Sequence, residues 1–230
     1  MFSNFDFDVI YRSLGYLFFE GMKFTLLLTA LATFGGLALG TLLAMMRLSS
    51  FKPLAFFSAS YVNIFRSLPL LLVLFWFYFL VPYLGQWLTG SARPIQVGAF
   101  YSSLITFTLF EAAYFAEIMR AGIQSISNGQ VNAGRAIGLN YWQAMRYVIL
   151  PQAVRNMSPI ILTQTIILFQ DTSLVYVLSV TDFLGAASKI AQRDFRIVEM
   201  YLFAAVVYFI ISLAASQLVR VLRTRTEIGR

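Results

Sequence analysis

Long runs without a charged residue dominate this chain of 230 residues. Residues 24–46, 67–92 and 200–219 contain no Asp, Glu, Lys or Arg, and shorter uncharged runs cover 95–110 and 156–170. A helix needs roughly 20 mostly apolar residues to cross a bilayer, and such a helix satisfies its own backbone hydrogen bonds in lipid. We therefore expect an all-α polytopic membrane protein with about five transmembrane helices.

Each uncharged run becomes a predicted span when neighbouring residues that suit a helix are included. The spans lie within a transmembrane domain over 18–220, which follows an extracytoplasmic segment, 1–17, and precedes a cytoplasmic tail, 221–230. Acids near the N-terminus and the lack of a small-residue cleavage site indicate that the first span is retained. The predicted spans are about 22–46, 56–83, 96–119, 154–172 and 199–220.

The distribution of basic residues predicts the orientation of these spans. Segments 47–52, 120–155 and 220–230 hold ten of the 17 Lys and Arg residues and only one acid, Glu227. Cytoplasmic loops carry an excess of Lys and Arg, so these segments are expected in the cytoplasm and the N-terminus outside. The net charge of +7 is then a membrane topology signal, and no nucleic-acid partner is expected.

The composition also excludes several kinds of chemistry. The chain has no Cys and no His, which removes disulfides, thiol nucleophiles, Cys/His metal sites and imidazole catalysis. Glu111 and Glu117 are six residues apart, so on one helix they point about 120° from each other. A membrane enzyme is therefore poorly supported, and we expect no catalytic residue and no metal site.

Residues 120–155 interrupt the apolar chain with four arginines and no acid. Gly138 suits a left-handed helix end, and Asn140 with Gln143 suits the cap of a following helix. Pro151 is expected to break or kink that helix. The pattern predicts two short amphipathic helices around a glycine, which either contact a partner or merely connect two spans.

This segment resembles the cytoplasmic Glu-Ala-Ala…Gly…Ile-x-Leu-Pro loop of ABC importer permeases. The matching residues here are Asn132-Ala133-Gly134, Gly138 and Val148-Ile149-Leu150-Pro151. Four further stretches resemble the polar amino acid branch of that family, and most of all its glutamate/aspartate import membrane subunits. These stretches are 65–69, 111–114, 117–126 and 170–174.

The resemblance implies a type I ABC importer permease fold whose segment 128–151 forms a coupling helix against an ATPase. The chain has no G-x-x-x-x-G-K-[ST] phosphate loop, so ATP and Mg would bind to a partner and this chain would not be an enzyme. Asn and Gly replace the family's Glu and second Ala, and Gly134 costs roughly 1 kcal/mol of local helix stability. The coupling residues implied are Gln130, Asn132, Ala133, Gly134, Ala136, Gly138, Leu139, Leu150 and Pro151.

The resemblance also implies the partners and the location. The partners are nucleotide-binding ATPase subunits, a second permease subunit that is related rather than identical, an extracytoplasmic solute-binding protein, and membrane lipid. The location is the bacterial inner membrane, and the mechanism is alternating access. The alternatives are an importer for glutamine or basic amino acids, or half of a pore or secondary transporter.

Charges inside predicted spans indicate either helix packing or a substrate path. Arg66 and Glu111 each lie 16 residues from the outer end of a span, about 24 Å along a helix, so an ion pair between them is plausible. Arg66 also suits a substrate carboxylate, because its planar fork binds one bidentately. Tyr114 suits either the core or a cavity wall, while Glu117 and Arg120, three residues apart, suit an interfacial ion pair.

Four consecutive polar residues, 170–173, follow the fourth uncharged run. They cannot all be hidden from lipid in one helix, and Asp, Thr and Ser compete for backbone hydrogen bonds. We predict a helix break that lines a substrate path, or alternatively a cap for the next helix. The candidate substrate-path residues are Arg66, Glu111, Tyr114, Gln170, Asp171, Thr172 and Ser173.

Overall fold

The computed structural model describes residues 5–227, and every regular element in that range is helical, as predicted. Three π-helical turns, Leu17–Met22, Trp76–Leu80 and Met145–Ile149, and a 3-10 segment, Thr172–Leu178, continue neighbouring helices. The ends of the predicted terminal segments, 1–4 and 228–230, lie outside the described residues. The helices are α1 (Phe7–Tyr16), α2 (Lys23–Leu48), α3 (Lys52–Ser67), α4 (Leu70–Phe75), α5 (Val81–Thr89), α6 (Ala99–Gln124), α7 (Asn128–Ala136), α8 (Tyr141–Ala144), α9 (Leu150–Asp171), α10 (Phe183–Arg193) and α11 (Ile197–Glu227).

Four helical stretches of the described chain are long and apolar enough to cross a membrane: Phe7–Leu48, Leu70–Thr89, Met145–Leu178 and Ile197–Thr224. They contain the predicted first, fourth and fifth spans and the second half of the second. The predicted third span, 96–119, overlaps α6 from Ala99 onward, and the 26 residues of α6 include Glu111 and Glu117 and are less apolar. The number of five spans stays a prediction.

The chain divides into two compact units, each with its own buried apolar side chains. The first unit comprises 1–33, 69–108 and 166–215, and the second comprises 34–68, 109–165 and 216–230. In the first unit, Phe183 and Met200 belong to one buried cluster, and Leu74 and Phe107 to another. In the second unit, Val62 of α3 packs with Leu43 of α2 and with Ala112, Ala113 and Ala116 of α6.

The predicted second span is not one continuous helix. α3 ends at Ser67, and Leu68 has an extended conformation with φ −98° and ψ 142°. Pro69 is also extended, and α4 begins after it. Proline lacks an N–H group and disfavours the helical conformation of the residue before it. The prediction of an unbroken helix through 56–83 was therefore wrong at Leu68 and Pro69.

Of the two outcomes predicted at Pro151, a break or a kink, the break was wrong, and the kink stays a prediction. The chain remains helical from Tyr141 to Asp171, and Pro151 is the second residue of α9. The preceding turn, Met145–Ile149, is π-helical, and the N–H of Leu150 donates to the carbonyl of Met145. This wider turn accommodates the proline ring where a regular α-helix would clash with it.

α10 begins at a buried aspartate that the sequence pattern did not single out. The Asp182 carboxylate accepts hydrogen bonds from the backbone N–H groups of Leu184 at 3.1 Å and Gly185 at 2.9 Å. Burial raises the pKa of this carboxyl to about 7, against the N–H donors and the charge of Lys189, which both lower it. Asp182 therefore caps α10 from a buried position that disfavours its charge.

Glycines let α2 approach α6 closely in the second unit. A Cβ atom on Gly36 would lie 2.8 Å from the Glu111 Cβ, and one on Gly40 would lie 2.8 Å from the Phe115 Cβ and 3.0 Å from the Ala112 carbonyl oxygen. Small residues of this kind allow close packing of membrane helices, where no hydrophobic effect drives association. The contact holds the Glu111 segment of α6 against α2.

We predict that Gly40→Ala destabilises the protein by about 1–3 kcal/mol, since the added methyl group overpacks the interface between α2 and α6. Thermal unfolding of the detergent-purified transporter measures the effect. Gly15→Ala is the matched control, because nothing lies within 4 Å of a Cβ at Gly15, and it should leave stability unchanged or slightly raised. Equal melting temperatures for the two variants would contradict the packing.

Candidate functional site

The turn between α7 and α8 has the left-handed glycine that the sequence predicts. Gly138 has φ +86°, and its N–H donates to the Arg135 carbonyl at 2.9 Å, while the Leu139 N–H donates to the Gly134 carbonyl at 3.0 Å. These bonds satisfy carbonyl groups that the end of a helix would otherwise leave unpaired. Only glycine adopts this conformation without a steric cost.

A capping box starts the second helix of the segment, as predicted. The Gln143 N–H donates to Asn140 Oδ1 at 3.0 Å, and the Asn140 N–H donates to Gln143 Oε1 at 2.9 Å. Each residue therefore satisfies the backbone of the other. The helix–turn–helix form of segment 128–151 is confirmed, and local interactions determine it.

Asn132 and Gly134, the residues that depart from the family pattern, have different surroundings. Asn132 is exposed, whereas Gly134 is buried on the inner side of α7. A Cβ on Gly134 would lie 3.5 Å from Leu139 Cδ1 and 3.7 Å from Val148 Cγ2, which is ordinary van der Waals contact. The family's alanine would therefore fit at position 134, and the glycine loosens the packing without changing the turn.

Most residues of the predicted coupling set lie on the surface of the segment. Leu139 is half-buried and Gly134 is buried, whereas the others are exposed. Ile137 and Tyr147, which the sequence pattern did not single out, are also exposed, at 78% and 65%. Two large apolar side chains on such a segment form a surface suited to a protein partner. The exposed members of the predicted set are Gln130, Asn132, Ala133, Ala136, Gly138, Leu150 and Pro151.

Glu111 is almost fully buried inside the second unit, with 2% of its surface exposed. Its Oε1 atom accepts a hydrogen bond from Gln164 Nε2 of α9 at 3.2 Å. Desolvation of a carboxylate costs several kcal/mol, and the amide donor offsets part of this cost. Gln164 was not among the predicted site residues, although a polar residue within an uncharged span was the signal that could have identified it.

Arg66, at the end of α3, is exposed and lies over the ring of Tyr114. The guanidinium carbon is 5.5 Å from the centre of that ring, within the range of a cation–π interaction. The Tyr114 ring is also 5.6 Å from the ring of Phe110. The structure thus brings Arg66 and Tyr114 together, while the ion pair between Arg66 and Glu111 stays a prediction.

The predicted pair at the end of α6 is confirmed. Arg120 Nε donates to Glu117 Oε2 at 3.0 Å, and a second guanidinium nitrogen donates to the other carboxylate oxygen. Arg120 also donates to Gln124, one turn further along the helix. Because Arg120 binds both carboxylate oxygens of Glu117 and also Gln124, it stabilises the end of its own helix, α6.

Where the sequence predicts a helix break, at 170–173, the first unit has a change from α-helix to 3-10 helix without an interruption. α9 ends at Asp171, and the chain continues as the 3-10 segment from Thr172. The buried Thr172 hydroxyl donates to the Phe169 carbonyl at 2.7 Å, the local bonding that loosens a helix. Gln170 is exposed, and Asp171 and Ser173 are half-buried, so three polar side chains at this change of helix type have surface exposed.

We predict that Gln164→Ala destabilises the transporter by about 1–3 kcal/mol, because the buried Glu111 carboxylate loses a hydrogen-bond donor. In a Glu111→Ala background the same change should cost clearly less, since the two residues act together. Thermal unfolding in detergent provides all four values, and strict additivity would contradict the contact. Gln217→Ala, which removes an exposed amide from α11, is the matched control and should have little effect.

Comparisons with known proteins agree with this geometry over nearly the whole chain. A family model described as "Binding-protein-dependent transport system inner membrane component" matches residues 36–228. The chain is 53% identical to the glutamate/aspartate import permease protein GltK of Escherichia coli O6:H1, over 97% of this chain and 99% of that protein. It is 34% identical to the probable glutamine ABC transporter permease protein GlnM of Bacillus subtilis, over 92% and 94%.

A solved structure supports the same assignment. The crystal structure of an amino acid ABC transporter with histidines matches with a TM-score of 0.85 at 32% identity, over 96% of this chain and 99% of that chain. The predicted type I ABC importer permease fold is therefore confirmed, and the chain is a membrane transport component. It belongs to the family of binding-protein-dependent transport system inner membrane components, as a permease of the ABC amino acid importers.

Proposed function

We propose that this chain is a permease subunit of an ATP-driven importer for glutamate and aspartate. The observation that carries the proposal is the 53% identity to GltK over 97% of the chain, compared with 34% identity to GlnM. A sequence this close over its full length supports the same substrate class. Import of glutamine or of a basic amino acid is the alternative.

The arrangement around Arg66 supports an acidic substrate. Arg66 is exposed, and its planar guanidinium fork lies over the Tyr114 ring. Such a fork binds a carboxylate through two parallel hydrogen bonds. The hydrogen bond between Gln164 and Glu111 then serves to hold α9 against α6.

The change to a 3-10 helix after α9 supports a second part of the path. Gln170, Asp171, Thr172 and Ser173 offer amide, carboxylate and hydroxyl groups that suit the ammonium and carboxylate of an amino acid. Irregular backbone at membrane depth occurs where the chain is buried in protein or lines a cavity, and not where it faces lipid. These four residues are therefore proposed to contribute to the substrate path in the first unit.

The remaining machinery is proposed to lie in partner subunits. The chain has no phosphate loop, so ATP and Mg would bind to separate ATPase subunits that contact segment 128–151. A second, related permease subunit would complete the path, and a solute-binding protein would deliver the amino acid to the outer face. The orientation has the N-terminus outside and the C-terminus in the cytoplasm of a bacterial inner membrane.

An alternating-access cycle links these parts. Closure of the ATPase subunits would move segment 128–151, and α9, which continues directly from it, would transmit the movement to the spans. A pore or half of a secondary transporter is less well supported, because it leaves the exposed apolar residues Ile137 and Tyr147 without a partner.

The substrate prediction is tested with the complex of this chain and its co-expressed partner subunits in proteoliposomes. Binding protein loaded with glutamate or aspartate should stimulate ATP hydrolysis several-fold, because only a cognate substrate completes the cycle. Glutamine and arginine should not stimulate it. Stimulation by glutamine or arginine without any response to glutamate would contradict the proposed substrate.

We predict that Gly138→Val reduces substrate-stimulated transport by tenfold or more, while subunit assembly is retained. The left-handed conformation costs a residue with a Cβ about 1–2 kcal/mol of conformational free energy, and it costs a β-branched residue more. Because nothing lies within 4 Å of a Cβ at this position, the expected effect arises from the backbone alone.

Gly129→Val is the matched control for this variant, since Gly129 lies in the same segment without a left-handed backbone. It should retain most of the transport activity. Rates of glutamate uptake and of ATP hydrolysis, measured on the same proteoliposomes, report coupling directly. Normal uptake by the Gly138→Val complex would show that the turn is not part of the coupling mechanism.

A further inference from the structure

A cavity of about 780 Å³ lies within the second unit, at the helix ends that adjoin the coupling segment. It is lined by the last turn of α6, the first half of α9 and the last turns of α11. We call this cavity the basic pocket. Its polar lining consists mainly of Ser125, Arg155, Asn156, Thr163, Arg220 and Arg223.

Helical spacing explains why these side chains converge. Arg155 and Pro159 are four residues apart on α9, and Thr163 follows after another four, so they share one face of that helix. Arg220 and Arg223 are three residues apart on α11 and share a face in the same way. Three arginines from two helices therefore line a single cavity.

The electrostatics of the basic pocket call for an anion. Its lining among the described residues contains three guanidinium groups and no carboxylate. Arg155 and Arg220 give this lining a positive charge that favours an anion. Asn156 Nδ2 donates to Ser125 Oγ at 3.1 Å, which ties α9 to α6 at the edge of the pocket and keeps the polar wall in place.

Apart from Ser216, the rest of the lining is apolar, which distinguishes the basic pocket from a site for a small hydrophilic anion. Ala121, Pro159, Ile160 and Val219 contribute carbon surface beside the arginines. Val219 is also the last residue of the uncharged run 200–219, and Arg220 follows it directly. The pocket therefore lies where an apolar span passes into a charged end, the depth at which lipid headgroups meet acyl chains.

We propose that the basic pocket binds the phosphate headgroup of an anionic phospholipid, with the acyl chains along Ile160 and Val219. Arginine forks match phosphate oxygens bidentately, and basic pockets between membrane helices are suited to acidic headgroups. A free dicarboxylate or inorganic phosphate shares the anionic chemistry but would gain nothing from the apolar wall. The site is additional to the proposed substrate path and does not depend on the identity of the substrate.

The test measures binding of phosphatidylglycerol to the delipidated transporter complex by native mass spectrometry. Arg155→Gln combined with Arg220→Gln should weaken the tightest lipid-binding event by about 25-fold, at about fivefold for each charge removed. Arg155→Lys combined with Arg220→Lys keeps the charge and should stay within about fivefold of the natural protein. The lysine variant also shows that loss of binding is not loss of folding.

Lys52→Gln combined with Arg135→Gln is the matched control, because it removes two exposed basic residues outside the pocket. It should bind phosphatidylglycerol as the natural protein does. Equal weakening in this control, or unchanged binding in the Arg155→Gln, Arg220→Gln variant, would overturn the proposal. Displacement of the lipid by millimolar glutamate or inorganic phosphate would also overturn it, in favour of a site for a soluble anion.

Discussion

The close approach of α2 to α6 at Gly36 and Gly40 is the contact on which the second unit depends. Membrane helices gain little from the hydrophobic effect, so their association rests on van der Waals contact between backbones. Here that contact lies directly beside Glu111. A buried carboxylate is tolerated at this position because α2 excludes water and lipid from one side, while Gln164 donates a hydrogen bond from α9.

Local conformational preferences made parts of the structure predictable from the sequence. Gly138, the cap formed by Asn140 and Gln143, and the loosened helix at 170–173 all follow from interactions between residues a few positions apart. The Glu117–Arg120 pair is equally local. Each of these features could therefore be predicted, because the residues that form it lie within a few positions of each other in the sequence.

Features that require tertiary packing, or that compete with hydropathy, were not predicted. Because residues 67–92 contain no charge, they were predicted as part of one span, and the helix break at Leu68 and Pro69 was missed. Proline disfavours the helical conformation of the residue before it, so this break could have been predicted. At Pro151 the helix neither breaks nor stays a regular α-helix, because a π-helical turn precedes the proline. The Gln164–Glu111 bond joins residues 53 positions apart, and only the packing of α9 on α6 brings them together.

The base of segment 128–151 is the place where α6, which precedes the segment, meets α9, which follows it. The Asn156–Ser125 hydrogen bond joins α6 and α9 at the two ends of that segment, and a Cβ on Gly122 would lie 3.1 Å from the Met157 Cβ. A segment that transmits movement needs a base whose ends move together. The basic pocket shares Ser125 and Asn156 with this base, so an anion held there would stiffen the junction through which we propose that segment 128–151 acts on the membrane helices.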